Sequence, residues 1–304
     1  MKNMKTIIQF PHPGGEHDNK SGVIWNNGVH KRKYMKIKGT YLQNLESKPI
    51  ENTLYFWGEW EAPSTVTVIA GNISPLPKFI FEPCFTLNVP KDAANTDPFV
   101  FGSPFYYCIC KQGHYSSLRN LEKGSIILFG SYIEENFVLD TLFVIKQWKD
   151  YKINEIPSLK DHYKNDAFYH VSLEPIINSQ KDKCKGLKKG IGCACGCEED
   201  TKAYNPVEDV ETYRIYESVM YEDRKLFDGM FSYAPCLPYE IGKFGFARPI
   251  INTPIIIEPK LKQGLKITTI YSLWKDFTKQ VINQGLNLMV KNNLPRLCTN
   301  LKNQ

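Results

Sequence analysis

The 304-residue chain lacks most of the short signatures that name a reaction. It has no Walker A run, no G-x-G-x-x-G turn and no G-x-S-x-G elbow. Phosphate cradling by a P-loop, dinucleotide binding on a Rossmann unit and serine chemistry on an elbow therefore lose their usual carriers. No segment approaches the roughly 20 apolar residues that span a bilayer. The most apolar stretch, Phe137 to Ile145, is interrupted by Asp140. Met1-Lys2-Asn3-Met4-Lys5-Thr6 carries lysines without the apolar run of a signal peptide. These absences set the expectation of a cytoplasmic protein with no membrane partner. Nine cysteines are then expected as thiols or metal ligands rather than as a disulfide framework. Internal repeats and long low-complexity tracts are missing too.

What is present describes a folded chain. Hydrophobic residues make up 42% and charged residues 23%, which excludes the composition of a disordered protein. Aromatic content of 13%, with 19 Pro and 20 Gly, favours many short strands and turns over a helical bundle. A formal charge of +6 permits a phosphate-bearing partner without demanding one.

Period-two alternation marks strands at Lys33 to Leu42 and Leu54 to Glu61, and β-branched residues mark another at Ser64 to Ala70. Ile126 to Phe129 and Phe137 to Ile145 read as a hairpin. A polar stretch near 148–166 would join two halves, and Tyr169 to Leu173 would restart a strand. Ile255-Ile256-Ile257 reads as a buried strand. The clearest helix comes last: Ser272 as cap, an apolar face from Leu273 through Leu288 and Met289, and Pro295 as its end. The expected fold is β-rich α+β. A curled sheet or barrel would occupy 1–150, and a mixed half ending in an amphipathic helix would occupy 151–304.

Site-forming chemistry concentrates in the first 61 residues, which hold three of the six histidines. His12, Glu16 and His17 flank a Pro-Gly-Gly turn and, with His30, can move protons near neutral pH. The intervening Pro13-Gly14-Gly15 excludes the helical His pair of a metalloprotease. His30-Lys31-Arg32-Lys33 opens a strand that continues to Lys36 and Lys38. Such a run suits phosphate, although lysines on a solvated edge also discourage aggregation. Tyr55, Trp57, Glu59 and Glu61 combine aromatic faces with acceptors, as a pocket for a planar polar base would. A packed core strand with its acids at the exposed end is the alternative, and glutamates beside tryptophan are costly to bury. Arg248 could clamp a phosphate or pair with Glu240.

Cys184, Cys193, Cys195 and Cys197 crowd into one Gly/Lys-rich stretch. Their spacing is not that of a zinc finger, where C-x2-C pairs bring two sulfurs onto one ion. Lys183, Lys185, Lys188 and Lys189 would favour thiolates there. A bound metal, zinc above all, is one expectation, and reduced surface thiols or a redox loop is the other. Cys108 and Cys110 lie in an apolar run and read as buried thiols.

Leu118-Arg119-Asn120-Leu121-Glu122-Lys123-Gly124-Ser125-Ile126-Ile127-Leu128-Phe129 reads as a short helix, a glycine and an apolar strand. It resembles an element of the PUA-like barrels, the group with ASCH, EVE and YTH domains. The resemblance covers about a dozen residues and implies RNA or modified-base binding, often in an aromatic pocket. Those domains commonly carry an acid after the glycine, where this chain has Ser125. The leading functional expectation is a nucleotide- or nucleic-acid-binding protein, with a role in nucleic-acid modification or defence. The alternatives are an enzyme acting on a nucleotide, a hydrolase or glycosyl transferase with His/Glu acid-base groups, and a structural or partner-binding protein.

Overall fold

The computed structural model describes residues 5–16, 30–69, 77–163, 166–185, 212–239, 245–252, 262–265 and 267–298. In chain order its strands are β1 Lys5–Glu16, β2 Lys33–Leu42, β3 Ile50–Gly58, β4 Ser64–Val68, β5 Phe79–Phe85, β6 Tyr106–Tyr107 and β7 Ile126–Ile133. They continue with β8 Asn136–Tyr151, β9 Tyr213–Ser218, β10 Ala234–Pro238, β11 Lys262–Leu265, β12 Asn287–Asn292 and β13 Arg296–Leu297. Helices are fewer, which gives the β-rich α+β fold that the composition implies. No described helix is long and apolar enough to cross a membrane.

Two sheets share the strands. One runs β11-β1-β7-β8-β9-β6. The other runs β12-β10-β3-β2-β5-β13, with β4 on β5, and β12 pairs back onto β2. That last pairing closes β2, β3, β10 and β12 into a four-stranded barrel. Closure needs Gly39, because a Cβ there would lie 2.6 Å from the Lys291 carbonyl oxygen. Each sheet draws strands from both sides of residue 150, so segments 1–150 and 151–304 share their sheets.

Both faces of the central strands are covered. Ile8, Phe10, Met35, Phe56, Ile127, Phe129, Phe143 and Ile145 pack with the helical residues Ile156, Phe168, Leu173 and Ile176. Their sequence neighbours Ile7, Tyr34, Tyr55, Trp57, Leu128, Leu142 and Val144 pack instead with Trp274, Phe277 and Val281 of the helix Ile267–Asn283. A strand buried on both faces has no solvent side, and this is why Ile126 to Phe129 and Phe137 to Ile145 are near-continuous apolar runs.

Three local expectations are corrected. Tyr169–Leu173 is a π-helical turn between helical segments, not a strand. Its composition suits either state; all five residues are buried, and the Glu174 N–H donates to the Tyr169 carbonyl five residues back, the bond of a π turn. The last helix ends at Asn283, because Gly285 takes a φ of 78° and turns the chain into β12. Leu288 and Met289 therefore pair in a strand, and Ser272 lies inside the helix rather than at its cap. The expectation of reduced cysteines fails at Cys84 and Cys298, which form a disulfide joining the end of β5 to the chain after β13. Ile255 to Ile257 lie outside the described residues.

Candidate functional site

The site begins with two irregularities beside one glycine. Across β7 and β8, Phe129 pairs with Thr141 and Gly130 with Leu139, so Asp140 is the extra residue of a β-bulge. Gly130 permits this approach, since a Cβ there would sit 2.0 Å from the Val138 carbonyl oxygen. Across β1 and β7, Pro11 pairs with Gly130 but Gly15 with Tyr132, so residues 12–14 bulge on the other side. Bulges re-aim side chains. Here His12 and Asp140 both leave the regular face and enter one buried polar network. A charged residue inside the apolar run Phe137 to Ile145 is the sequence trace of this device.

Arg32 precedes β2 and Glu59 follows β3, where the pair Lys33 and Gly58 ends the ladder. Arg32 donates from Nη1 to Glu59 Oε2 at 2.6 Å and from Nε to Asp140 Oδ2 at 2.7 Å. Arg248 donates to Ser131 Oγ at 2.5 Å and lies 3.3 Å from Asp140 Oδ1. Both arginines and both acids are buried. Ion pairs of this kind must be matched in sign and well bonded, because each charge has lost its water.

His12 Nδ1 stands 3.0 Å from Glu59 Oε2, and its Nε2 stands 3.5 Å from the Cys110 sulfur. Burial pushes the Glu59 carboxyl up, but His12 and Arg32 outweigh it and hold the group down at about 2. An ionised carboxylate only accepts, so Nδ1 carries the proton that points at Glu59, and Nε2 is left towards the Cys110 sulfur. The His30 ring meets His12 edge-on at 5.6 Å.

Asp97 fixes the third side. It accepts from the backbone N–H groups of Cys108, Ile109 and Cys110 at 2.8, 2.8 and 2.6 Å. Its own N–H donates to Glu59 Oε1. Burial pushes the Asp97 carboxyl up to about 7, against the pull of those three donors and with a smaller push from Glu59. Lys33 and Glu61 form an outer pair at 3.4 Å, and Glu61 also accepts from the His30 N–H. Burial lowers the Lys33 ammonium and raises the Glu61 carboxyl, each partly restored by the other.

The arrangement gathers His12, His30, Glu59, Glu61, Arg32, Lys33 and Arg248 in one region. It separates the base-binding set. Tyr55 and Trp57 are core residues: Trp57 is 2% exposed, packs on Tyr34, donates to the Phe246 carbonyl and has the Arg248 guanidinium over its ring. No face of Trp57 is open to stack on a base. The basic run is split as well. Arg32, Lys33 and Arg248 are spent on internal acids, Lys36 pairs with Glu82, and Lys31 and Lys38 are exposed. Lys38 lines a polar cavity of about 350 Å³ with Thr40, Asn52, Thr53, Lys291 and Asn293.

His17, Glu240, Cys193, Cys195 and Cys197 lie outside the described residues, as do the side chains of Glu16 and Cys184. The described group with metal-like spacing is His30, Glu59 and Glu61, whose ligand atoms lie within 4.8 Å of one another. Arg32 and Lys33 already bring to these carboxylates the positive charge an ion would supply. Cys110, Asp97 and Asp140 are site residues that sequence reasoning missed. Comparison with family models, curated proteins and solved structures finds no match.

Proposed function

We propose that the protein is an enzyme whose proton-transfer group is His12. One observation carries the reading: His12 is held at Nδ1 by an ionised, buried carboxylate while its Nε2 faces the Cys110 sulfur. That geometry fixes the tautomer and stabilises the imidazolium formed in a reaction, the role an orienting acid plays beside a catalytic histidine. Core packing explains none of it, since apolar residues would fill the same space without an ion network. The test is incubation with nucleotides, nucleosides, esters and amides, following consumption by mass spectrometry. We expect one class to be turned over by the wild type and slowed about a hundredfold or more by His12→Gln. Equal consumption by both proteins, or by neither, would count against the reading.

A second reading, binding of a nucleotide or nucleic acid, is favoured by the Lys38 and Lys291 cavity at the other end of β2. The resemblance of Leu118 to Phe129 to PUA-like barrels supports the same ligand class. Lys38→Gln with Lys291→Gln should then weaken binding of a labelled oligonucleotide and reduce its salt slope by about one for each phosphate left without its lysine. An unchanged affinity and slope would remove the cavity from consideration.

A further inference from the structure

We propose that Cys110 is a nucleophile, with His12 as its base and Glu59 as the residue that orients His12, and that its substrate carries an ester or amide carbonyl. The inference rests on the reading of His12 as the proton-transfer group and assigns the atom that exchanges protons with it.

Three observations carry it. Sulfur, imidazole and carboxylate lie in series, at 3.5 Å from Cys110 Sγ to His12 Nε2 and 3.0 Å from His12 Nδ1 to Glu59. This is the order in which a nucleophile, its base and an orienting group must stand. Cys110 is a thiol outside any disulfide, and at 8% exposure it is the most accessible of the three, with His12 at 0% and Glu59 at 2%. All three are buried, and Cys110 stands at the least buried end of the series. Finally, the turn bearing Cys110 is fixed rather than loose. Asp97 gathers three consecutive N–H groups, the Tyr107 hydroxyl donates to the Cys110 carbonyl, and Lys111 adopts a φ of 57° that few non-glycine residues keep. Lys111 donates from Nζ to the carbonyl of Pro11, the residue before His12. Lys111 thereby ties the Cys110 turn to the segment that carries His12. Cys108, two residues earlier, shares the bond to Asp97 but is fully buried, and burial raises its thiol well above the ordinary range.

The step balances without a cofactor. His12 Nε2 takes the Cys110 proton as the sulfur bonds to the carbonyl carbon. The bond to the alcohol or amine breaks, and the leaving group receives that proton from His12. Water, deprotonated by His12, then attacks the thioester, releasing the acid and restoring the thiol.

The test uses the full chain, iodoacetamide and p-nitrophenyl acetate, read by peptide mass spectrometry so that each cysteine is scored separately. Cys110 should be alkylated faster than Cys108 and Cys236. Its rate should change little between about pH 7.5 and about pH 6, where an ordinary thiol slows by about 30-fold. With p-nitrophenyl acetate, an acetyl group should appear on Cys110 and be absent in His12→Asn, melting curves reporting whether that variant folds. The wild-type pH profile needs no variant, so a folding failure does not rescue the idea. Alkylation of Cys110 no faster than of Cys236, or an ordinary thiol profile, would overturn the proposal. If Cys110→Ala keeps a turnover that His12→Gln loses, the nucleophile is wrong and the acid-base reading stands. If neither substitution alters any turnover, both fall.

Discussion

The two ends of strands β2 and β3 carry similar charges and opposite physics. At one end Arg32 and Lys33 are buried against Glu59, Asp140 and Glu61. At the other, Lys38 and Lys291 face a polar cavity with Glu51 and Asn52, and Lys38 is exposed. Read as sequence, His30 to Lys38 is one basic run. In the fold it is divided by burial, and each half has its own consequence. A buried cation cannot be left unmatched, so the Arg32 end is stabilising only as a complete network. An exposed lysine keeps its water and remains available to a ligand at small cost to the fold.

The largest expected difference between the ends is in stability. Arg32→Met removes the cation shared by Glu59 and Asp140, leaving them to His12 and Arg248, and should cost about 3–5 kcal/mol by urea unfolding. A loss below about 1 kcal/mol would mean that the network is solvated and that the contrast between the ends is false. Next is Gly130→Ala, which pushes a Cβ into the Val138 carbonyl and the Phe137 ring. It should cost about 1–3 kcal/mol and reduce any His12-dependent turnover, because both bulges rest on that close approach. Full stability and turnover in this variant would separate the bulges from the site.

The pH dependence sharpens the same contrast. Glu59 is depressed to about 2, so its contribution is present above the unfolded carboxylate range and is lost as pH falls towards 2. Asp97 is raised to about 7, so the folded state holds its proton longer, and stability falls as pH rises from about 4 through 7. The Asp97 slope is at most about 1.4 kcal/mol per pH unit and should vanish in Asp97→Asn. A profile that keeps the slope in that variant would place its origin elsewhere. The smallest effect is expected at the open end, where Lys38→Met should change stability by no more than about 0.5 kcal/mol.

Sequence periodicity located much of the fold. Lys33–Leu42 is a strand over its whole expected length, and the hairpin of Ile126 to Ile145 is there, because alternation and apolar runs report burial directly. It failed where two states share one composition. The run Tyr169 to Leu173 suits a strand or a π turn, and Leu288 and Met289 keep helical spacing past a glycine that ends the helix. At the site, the oddness of a carboxylate beside Trp57 and of a histidine in a Pro-Gly-Gly segment pointed to Glu59 and His12, which do meet. The same reasoning placed Trp57 against a ligand, whereas it packs in the core. Asp140 was visible as a charge in an apolar run, but its use depends on a bulge that no local pattern encodes. Cys110 looks like Cys108 in sequence, and the approach of His12 Nε2 to the Cys110 sulfur separates them.

The central claim is that Glu59, His12 and Cys110 act as one unit. Its most direct test is the iodoacetamide rate of Cys110 at about pH 6 in the wild type and in Glu59→Gln, with melting curves confirming that both are folded. Loss of the carboxylate removes the group that fixes the His12 tautomer, so the rate should fall by about tenfold or more. An unchanged rate in a folded Glu59→Gln protein would contradict the claim.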